Sequence, residues 1–271
     1  MKDTDCVAFL QWCLPRLQLR WPGFRKVRRQ VCKRLHRRLR SLNLPDTSAY
    51  RAYLETHPAE WTALDAMCRI TISRFYRDRG VFETLRRAIL PDLVQRITRE
   101  GASTLRCWSA GCASGEEAYT LKIIWGHDLP ARFSHLDLHI MATDTEIPML
   151  ERARHGCYAK GTLKELPAGW IDAAFSSIDE TYCIRGAYRT GITWAQQDIR
   201  RTMPEGPFHL ILCRNIVFTY FDDALQRACL ARMADRLLPG GFLVLGKHES
   251  LPDPTTRFSA WNRQEDIYQR M

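Results

Sequence analysis

The stretch Leu105-Arg-Cys-Trp-Ser-Ala-Gly-Cys-Ala-Ser-Gly-Glu-Glu-Ala-Tyr-Thr-Leu121 constrains this chain more than any other. An apolar run ends in a turn of small residues, and a helix then opens on two acids. This is the layout of a strand, a glycine turn and a helix N-terminus. In open α/β sheets ligands bind at the carboxyl ends of strands, against turns of this kind. Gly111 and Gly115 let the backbone approach a ligand where a Cβ would collide. Glu116 and Glu117 repel a phosphate, so the turn suits a ligand that presents hydroxyls or positive charge. Taken alone, two acids at a helix start also complement the helix dipole.

The next strand narrows the ligand further. Leu136 to Thr143 alternates into a second apolar strand, and Asp144 ends it. A carboxylate at that tip can accept both hydroxyls of an adenosine ribose, as the comparable acid does in dinucleotide folds. It can also cap a helix over Glu146 to Arg154, and the two roles are compatible. A nucleoside with a cationic part fits both features, and S-adenosylmethionine carries a ribose, an amino group and a sulfonium.

From about residue 100 strands and helices alternate, which predicts a mostly parallel α/β sheet covered on both faces. Phe208 to Cys213 reads as a buried strand with Arg214-Asn215 at its carboxyl end. Asp222 can cap a helix running to Leu238, with Pro239-Gly-Gly241 ending it and Phe242 to Leu245 returning as a strand. Tyr182 to Trp194 reads as two short strands around glycine turns, within a small insertion over residues 158–206. Residues 1–85 read as a helical N-terminal domain and residues 86–271 as the sheet domain. A helix over residues 79–98, broken by Pro91, leads into the sheet.

The formal net charge of +10 is unevenly spread. Nine Lys or Arg and no acid lie between Trp21 and Arg40. Val27, Val31, Leu35, Leu39 and Leu42 recur at helical spacing, which predicts an amphipathic helix with one apolar seam. Arg25, Lys26, Arg29, Lys33, Arg37 and Arg40 then crowd its other faces. A solvated basic face, an acidic protein partner, nucleic acid and an anionic membrane surface all answer to such a face. No apolar run approaches the roughly 20 residues that span a membrane, and Met-Lys-Asp-Thr-Asp lacks a signal-peptide layout. Ten cysteines without a Cys-x-x-Cys pair predict reduced thiols of a cytoplasmic protein. No metal site is expected, because the intervals among His127, His135, His139, Cys107 and Cys112 match no zinc pattern.

Trp108-Ser-Ala-Gly-Cys-Ala-Ser-Gly-Glu-Glu117, Ala142-Thr-Asp-Thr145, Leu150 to Tyr158 and Phe208 to Asn215 together resemble the CheR-type chemoreceptor methyltransferases. So do Tyr220-Phe-Asp222, Leu238 to Gly246, Glu249-Ser-Leu251 and, upstream, Ile70-Thr-Ile-Ser-Arg-Phe-Tyr-Arg77. The resemblance runs in order from about residue 25 to the C-terminus. It implies a Rossmann-like class I methyltransferase sheet with a small all-helical N-terminal domain, and S-adenosylmethionine as cofactor. By the same resemblance, Glu265 to Gln269 is expected as a final, antiparallel edge strand. By resemblance, Ser73, Gly111, Glu117, Asp144, Asp198, Ile199, Asn215 and Ile216 line the cofactor. Asp144 takes the ribose, Asp198-Ile199 the adenine and Asn215 the methionine portion. Arg77 and Tyr220 take catalytic positions. In the resembling family a basic helix docks on acidic receptor helices, which favours a protein partner over RNA. The implied reaction is methyl transfer to a glutamate carboxylate of a chemoreceptor-like protein. The alternative is the same fold acting on a small molecule or another acceptor outside chemotaxis. A ligand-sensing module without activity is a third reading.

Overall fold

The structure is a computed structural model that describes residues 2–128, 133, 135–252, 257–262 and 266–271. The chain divides into two compact units, Met1–Thr71 with Thr219–Leu225, and Ile72–Phe218 with Gln226–Met271.

The first unit is helical, with Asp3–Cys13, Arg28–Ser41, Thr47–Thr56 and Glu60–Met67 as its main helices. In Arg28–Ser41 the seam Val31, Leu35 and Leu39 is buried. Its arginines sort by the same period. Arg28 pairs with Asp3 at 3.0 Å, Arg34 donates to the carbonyls of Met67 and Arg69, and Arg38 reaches Glu60. Arg29, Lys33, Arg37 and Arg40 stay exposed, as do Arg25 and Lys26 just before the helix. Asp46 caps Thr47–Thr56 by accepting the Ala49 N–H at 2.9 Å. The segment Thr219–Leu225 is tied in by the Arg20 N–H donating to the Tyr220 carbonyl at 2.8 Å and the Asp222 N–H to the Gln18 carbonyl at 2.9 Å. A Cβ on Gly23 would stand 2.2 Å from the Thr219 carbonyl oxygen, so only glycine fits there.

Glu60, 6% exposed, anchors this unit. It accepts from Arg38 Nε and Nη2 at 2.8 and 2.6 Å and from the Tyr50 hydroxyl at 2.6 Å. The guanidinium holds the Glu60 carboxyl below its ordinary value of 4.5. A lowered carboxylate stabilises the fold above its unfolded value, and that contribution is lost as pH falls through the folded one. Arg38→Met leaves the carboxylate buried with the Tyr50 hydroxyl as its remaining partner. We expect a loss of about 2 kcal/mol at neutral pH in denaturant titration, below the value for a fully buried pair because Arg38 is partly exposed. Arg37→Met, one residue away on the exposed face, should stay within about 0.5 kcal/mol of the parent.

The second unit is built on a seven-stranded sheet. Its strands in chain order are β1 (Thr104–Ala110), β2 (Asp137–Asp144), β6 (Ile192–Gln196), β7 (Phe208–Leu212), β8 (Leu237–Val244), β9 (Phe258–Asn262) and β10 (Ile267–Arg270). A separate three-stranded antiparallel sheet has the order β3-β5-β4, from β3 (Cys157–Ala159), β4 (Phe175–Ile178) and β5 (Thr181–Ile184). The large sheet runs β6-β2-β1-β7-β8-β10-β9. The five strands from β6 to β8 in that order are mutually parallel, and β10 is antiparallel to both neighbours. The strand order reverses between β1 and β7, and at such a switch point the carboxyl ends of neighbouring strands open a crevice. Leu105, Cys107, Ile140, Ala142, Leu210 and Leu212 from the central strands lie in the buried core.

Several local expectations give way to tertiary context. Ile192–Gln196 leaves the insertion and pairs in parallel with Ile140–Asp144 of β2. Alternation marks a strand but does not name its partner. The helix before Pro239 ends at Arg236, and β8 runs through Pro239-Gly-Gly241 as a bulge, with Leu237 opposite Phe208 and Phe242 opposite Leu210. The final strand is antiparallel as expected, but it lies inside the sheet, with β9 on the edge; Glu265 lies outside the described residues. Pro91 does not break its helix. It sits in the first turn of Leu90–Arg99, directly after a π turn over Leu85–Ile89 that accommodates its missing N–H.

The expectation of ten reduced thiols is corrected. Cys6 is bonded to Cys32 and Cys157 to Cys183. The first pair joins two helices of the helical unit, and the second joins directly opposed residues of β3 and β5. Each pair is separated by 26 residues and brought together by packing, which no local spacing pattern reports. Cys13, Cys68, Cys107, Cys112, Cys213 and Cys229 are free and buried. Among the described residues, no helix is long and apolar enough to cross a membrane.

Candidate functional site

The turn after β1 is built from backbone that side chains disfavour. Gly111, Ala113 and Gly115 all have positive φ, at 74°, 46° and 89°. The Gly111 and Cys112 N–H groups donate to the Thr143 carbonyl at 2.8 and 2.9 Å, binding the turn to the tip of β2. A Cβ on Gly111 would meet Ile216 Cδ1 at 2.9 Å, and one on Gly115 would meet Trp194 at 2.8 Å and Ala153 at 2.9 Å. Glycine at both positions lets the turn lie flat against its neighbours.

Asp144 ends β2 and is 9% exposed. One carboxylate oxygen accepts the Ala113 N–H at 2.8 Å and the other the Glu146 N–H at 2.9 Å. Burial raises its acid above the ordinary carboxylate range, and these N–H groups pull it partly back. Each oxygen has a second lone pair, so the carboxylate can serve the turn, the following helix and two ligand hydroxyls together.

Asp198 and Ile199 lie just past the end of β6, where the Gln197 N–H donates to the Asp144 carbonyl at 3.0 Å. Arg200 holds both oxygens of Asp198, at 2.7 to 3.1 Å. Arg232 donates to three successive carbonyls, those of Ile199, Arg200 and Arg201, at 3.0 to 3.2 Å.

At the carboxyl ends of β1 and β7 a buried charge network forms. Ser109 donates to one Glu117 oxygen at 2.6 Å, and Arg214 Nη1 to the other at 3.1 Å. The Arg214 side chain is 3% exposed; its Nη2 reaches Asp78 at 2.8 Å and the Arg77 carbonyl at 2.7 Å. Its guanidinium lies over the Phe82 ring at 5.0 Å. Asn215 comes next with φ 56°, and its N–H donates to Glu249 at 2.8 Å. Glu249, 4% exposed, also accepts the Gly246 N–H at 2.6 Å, joining the ends of β7 and β8.

A Cβ on Gly246 would stand 2.7 to 2.8 Å from the Asn215 amide atoms, with no positive φ to strain. Gly246→Ala therefore moves the Asn215 side chain while leaving the backbone unstrained. We expect cofactor affinity to fall about tenfold by calorimetry, with the thermal midpoint within a few degrees of the parent.

Ser73 and Arg77 lie on the segment before helix Arg79–Thr84, and the Arg77 guanidinium donates to the Ile72 carbonyl, closing that segment on itself. Asp78 is held by Arg214, and Arg74 pairs with Glu165 at 3.0 Å. Tyr220 belongs to the helical unit, where its ring lies 5.0 Å from that of Phe24. The other nine predicted residues all belong to the sheet unit. There Gly111 stands on the turn after β1, Glu117 in the first turn of the helix that follows, and Asp144, Asn215 and Ile216 at or just past the ends of β2 and β7.

Sequence reading names Arg214, Glu249 and Ser109 within its motifs but assigns none of them to the site. A signal for the first was present: an arginine directly after a continuous apolar strand is buried at a cost unless it is paired. A cavity of about 370 Å³ lined by Thr104, Lys122, Asp137 and His139 lies at the opposite, amino ends of β1 and β2. The strand-end rule places a cofactor at the other edge. Among the described residues no His, Cys, Asp or Glu cluster is arranged to hold a metal ion.

The chain matches the family described as CheR methyltransferase, SAM binding domain, over residues 71–267, and the CheR methyltransferase all-alpha domain over residues 26–65. It is 33% identical over 189 residues to a chemotaxis protein methyltransferase of Listeria innocua, covering 70% of this chain and 69% of that protein. To the chemotaxis protein methyltransferase of Escherichia coli K12 it is 30% identical over 261 residues, covering 89% and 82%. An uncharacterized 104.1 kDa protein of Rhodobacter capsulatus is 31% identical over 241 residues; the match covers 89% of this chain and a quarter, 25%, of that protein. With its α/β Rossmann-like sheet and all-helical N-terminal domain, this chain belongs to the CheR methyltransferase family and is an S-adenosylmethionine-dependent methyltransferase.

Proposed function

We propose that this enzyme methylates glutamate side-chain carboxylates on an acidic, receptor-like helical protein. The exposed cationic face of Arg28–Ser41 carries this reading, because six of its nine neighbouring cations point to solvent while three serve the fold. A small-molecule acceptor gives no reason for such a face. The names of the relatives support the same acceptor class.

The residues fit the cofactor. Asp144 has one lone pair per oxygen left for ribose hydroxyls, and the Gly111 turn admits a close approach. Glu117 would stand near the methionine amino group. Asp198 is taken by Arg200, so the adenine side is served by Ile199 and by backbone that Arg232 holds. Asn215 and Ile216 would flank the methionine portion, with Ser73 opposite. When bound, S-adenosylmethionine supplies an electrophilic methyl carbon.

The acceptor glutamate is already ionised at pH 7, so the chain needs no general base. Its residues contribute by aligning the oxygen and excluding water. We assign this orienting role to Arg77 and Tyr220 on their motif positions. The reading includes a cytoplasmic location.

The test is methyl transfer from labelled S-adenosylmethionine to the cytoplasmic domain of a methyl-accepting receptor. Label released as methanol by mild base supports a carboxyl ester. Base-stable label, or label in small molecules only, rejects the glutamate acceptor and leaves the cofactor assignment standing.

A further inference from the structure

We propose that Arg214 is a positioning residue that locks the Glu117 carboxylate and the Arg77–Asp78 segment into one arrangement. The inference rests on the proposed function in one respect, that Glu117 and Arg77 serve opposite sides of the methyl-transfer site. The arrangement itself is observed. The two terminal nitrogens divide their work, Nη1 to Glu117 and Nη2 to Asp78 and the Arg77 carbonyl. Ser109 takes the other Glu117 oxygen, so that carboxylate is held from two sides. The guanidinium carbon also lies 5.0 Å from the Phe82 ring centroid, within cation–π range.

A network this buried is a poor way to gain stability. The side chain is 3% exposed and, among the described residues, its Nε has no hydrogen-bond partner. Packed apolar residues at such a site are as stable or more so. What the guanidinium adds is geometry: a rigid planar fork sets the distance and angle between two carboxylates, and an ammonium on a flexible stem does not. The first acid of the pair is on the helix after the glycine turn, and the second adjoins Arg77. Arg214 thereby ties the placement of the cofactor side to that of the acceptor side.

The test uses the full chain, with S-adenosylhomocysteine binding measured by calorimetry well below the thermal midpoint. A purely structural role would lower the midpoint and leave the affinity of the folded protein unchanged. Arg214→Lys keeps the charge and loses the fork, and we expect affinity to fall at least about tenfold. Asp78→Asn touches Glu117 only through Arg214, and it should weaken binding about threefold or more. The double variant should be no weaker than Arg214→Lys alone. Unchanged affinity in Arg214→Lys, or additive effects in the double variant, overturns the proposal. If Arg214→Lys does not fold, Asp78→Asn decides, and parental affinity there overturns it. A parent that binds no S-adenosylhomocysteine removes the cofactor reading as well, whereas a binding parent with unaffected variants removes only the role of Arg214.

Discussion

Asp144→Ala is expected to bind S-adenosylmethionine about a hundredfold more weakly than the parent. Two hydroxyl-to-carboxylate hydrogen bonds at roughly 1.5 kcal/mol each sum to about 3 kcal/mol, and each factor of ten is about 1.4 kcal/mol. The substitution also strips the Ala113 N–H of its acceptor, so the glycine turn loses one tie to β2 and keeps those of Gly111 and Cys112 to the Thr143 carbonyl. Asp144→Asn should not rescue binding. An amide has one oxygen, and its NH2 would face either the Ala113 or the Glu146 N–H.

The pH dependence has two opposite signs. Burial raises the Asp144 acid, so in the unliganded protein this residue stabilises the fold when protonated, below its unfolded value, and that contribution is lost as pH rises through the folded one. The proposed ribose contact uses the carboxylate, so cofactor affinity should rise over the same window. Calorimetry across acidic pH, on parent and Asp144→Ala, checks this: the parent slope should vanish in the variant.

The second large effect concerns the acceptor. Reversing three exposed cations, Lys33→Glu, Arg37→Glu and Arg40→Glu, should raise the acceptor KM about a hundredfold, since each converts an attraction into a repulsion worth about 1 kcal/mol. The three side chains are exposed, so stability and cofactor affinity should stay near parental values. Added salt should raise the parental KM and lower that of the variant, because screening weakens attraction in one and repulsion in the other. An unaltered KM would move the acceptor surface away from this helix.

These two predictions draw on the parts of the molecule that the sequence states locally. The glycine turn and Asp144 are legible because strand, turn and helix are consecutive, and each residue's role comes from its place in that unit. The basic helix is legible because its charges and its apolar seam repeat with the same period. Arg214 shows the limit. Its partners, Asp78 and Glu117, are 136 and 97 residues away; the pairing of β1 with β7 brings Glu117 to it, and Asp78 arrives from a segment upstream of the sheet. The same holds for Cys6 with Cys32, and for β6, whose alternation could have served either sheet. Pro239-Gly-Gly241 is legible as an interruption, but whether it ends a helix or bulges a strand depends on the register against β7.

Locating the transferred methyl on the acceptor tests the glutamate assignment most directly. A methyl-accepting receptor domain is incubated with the enzyme and S-adenosylmethionine, digested, and read by tandem mass spectrometry. An added methyl is expected on glutamate side chains, strongly reduced with Asp144→Ala enzyme at limiting cofactor and removed by mild base. A methyl found on nitrogen, sulfur or hydroxyl, or one that survives base, would contradict carboxyl methylation.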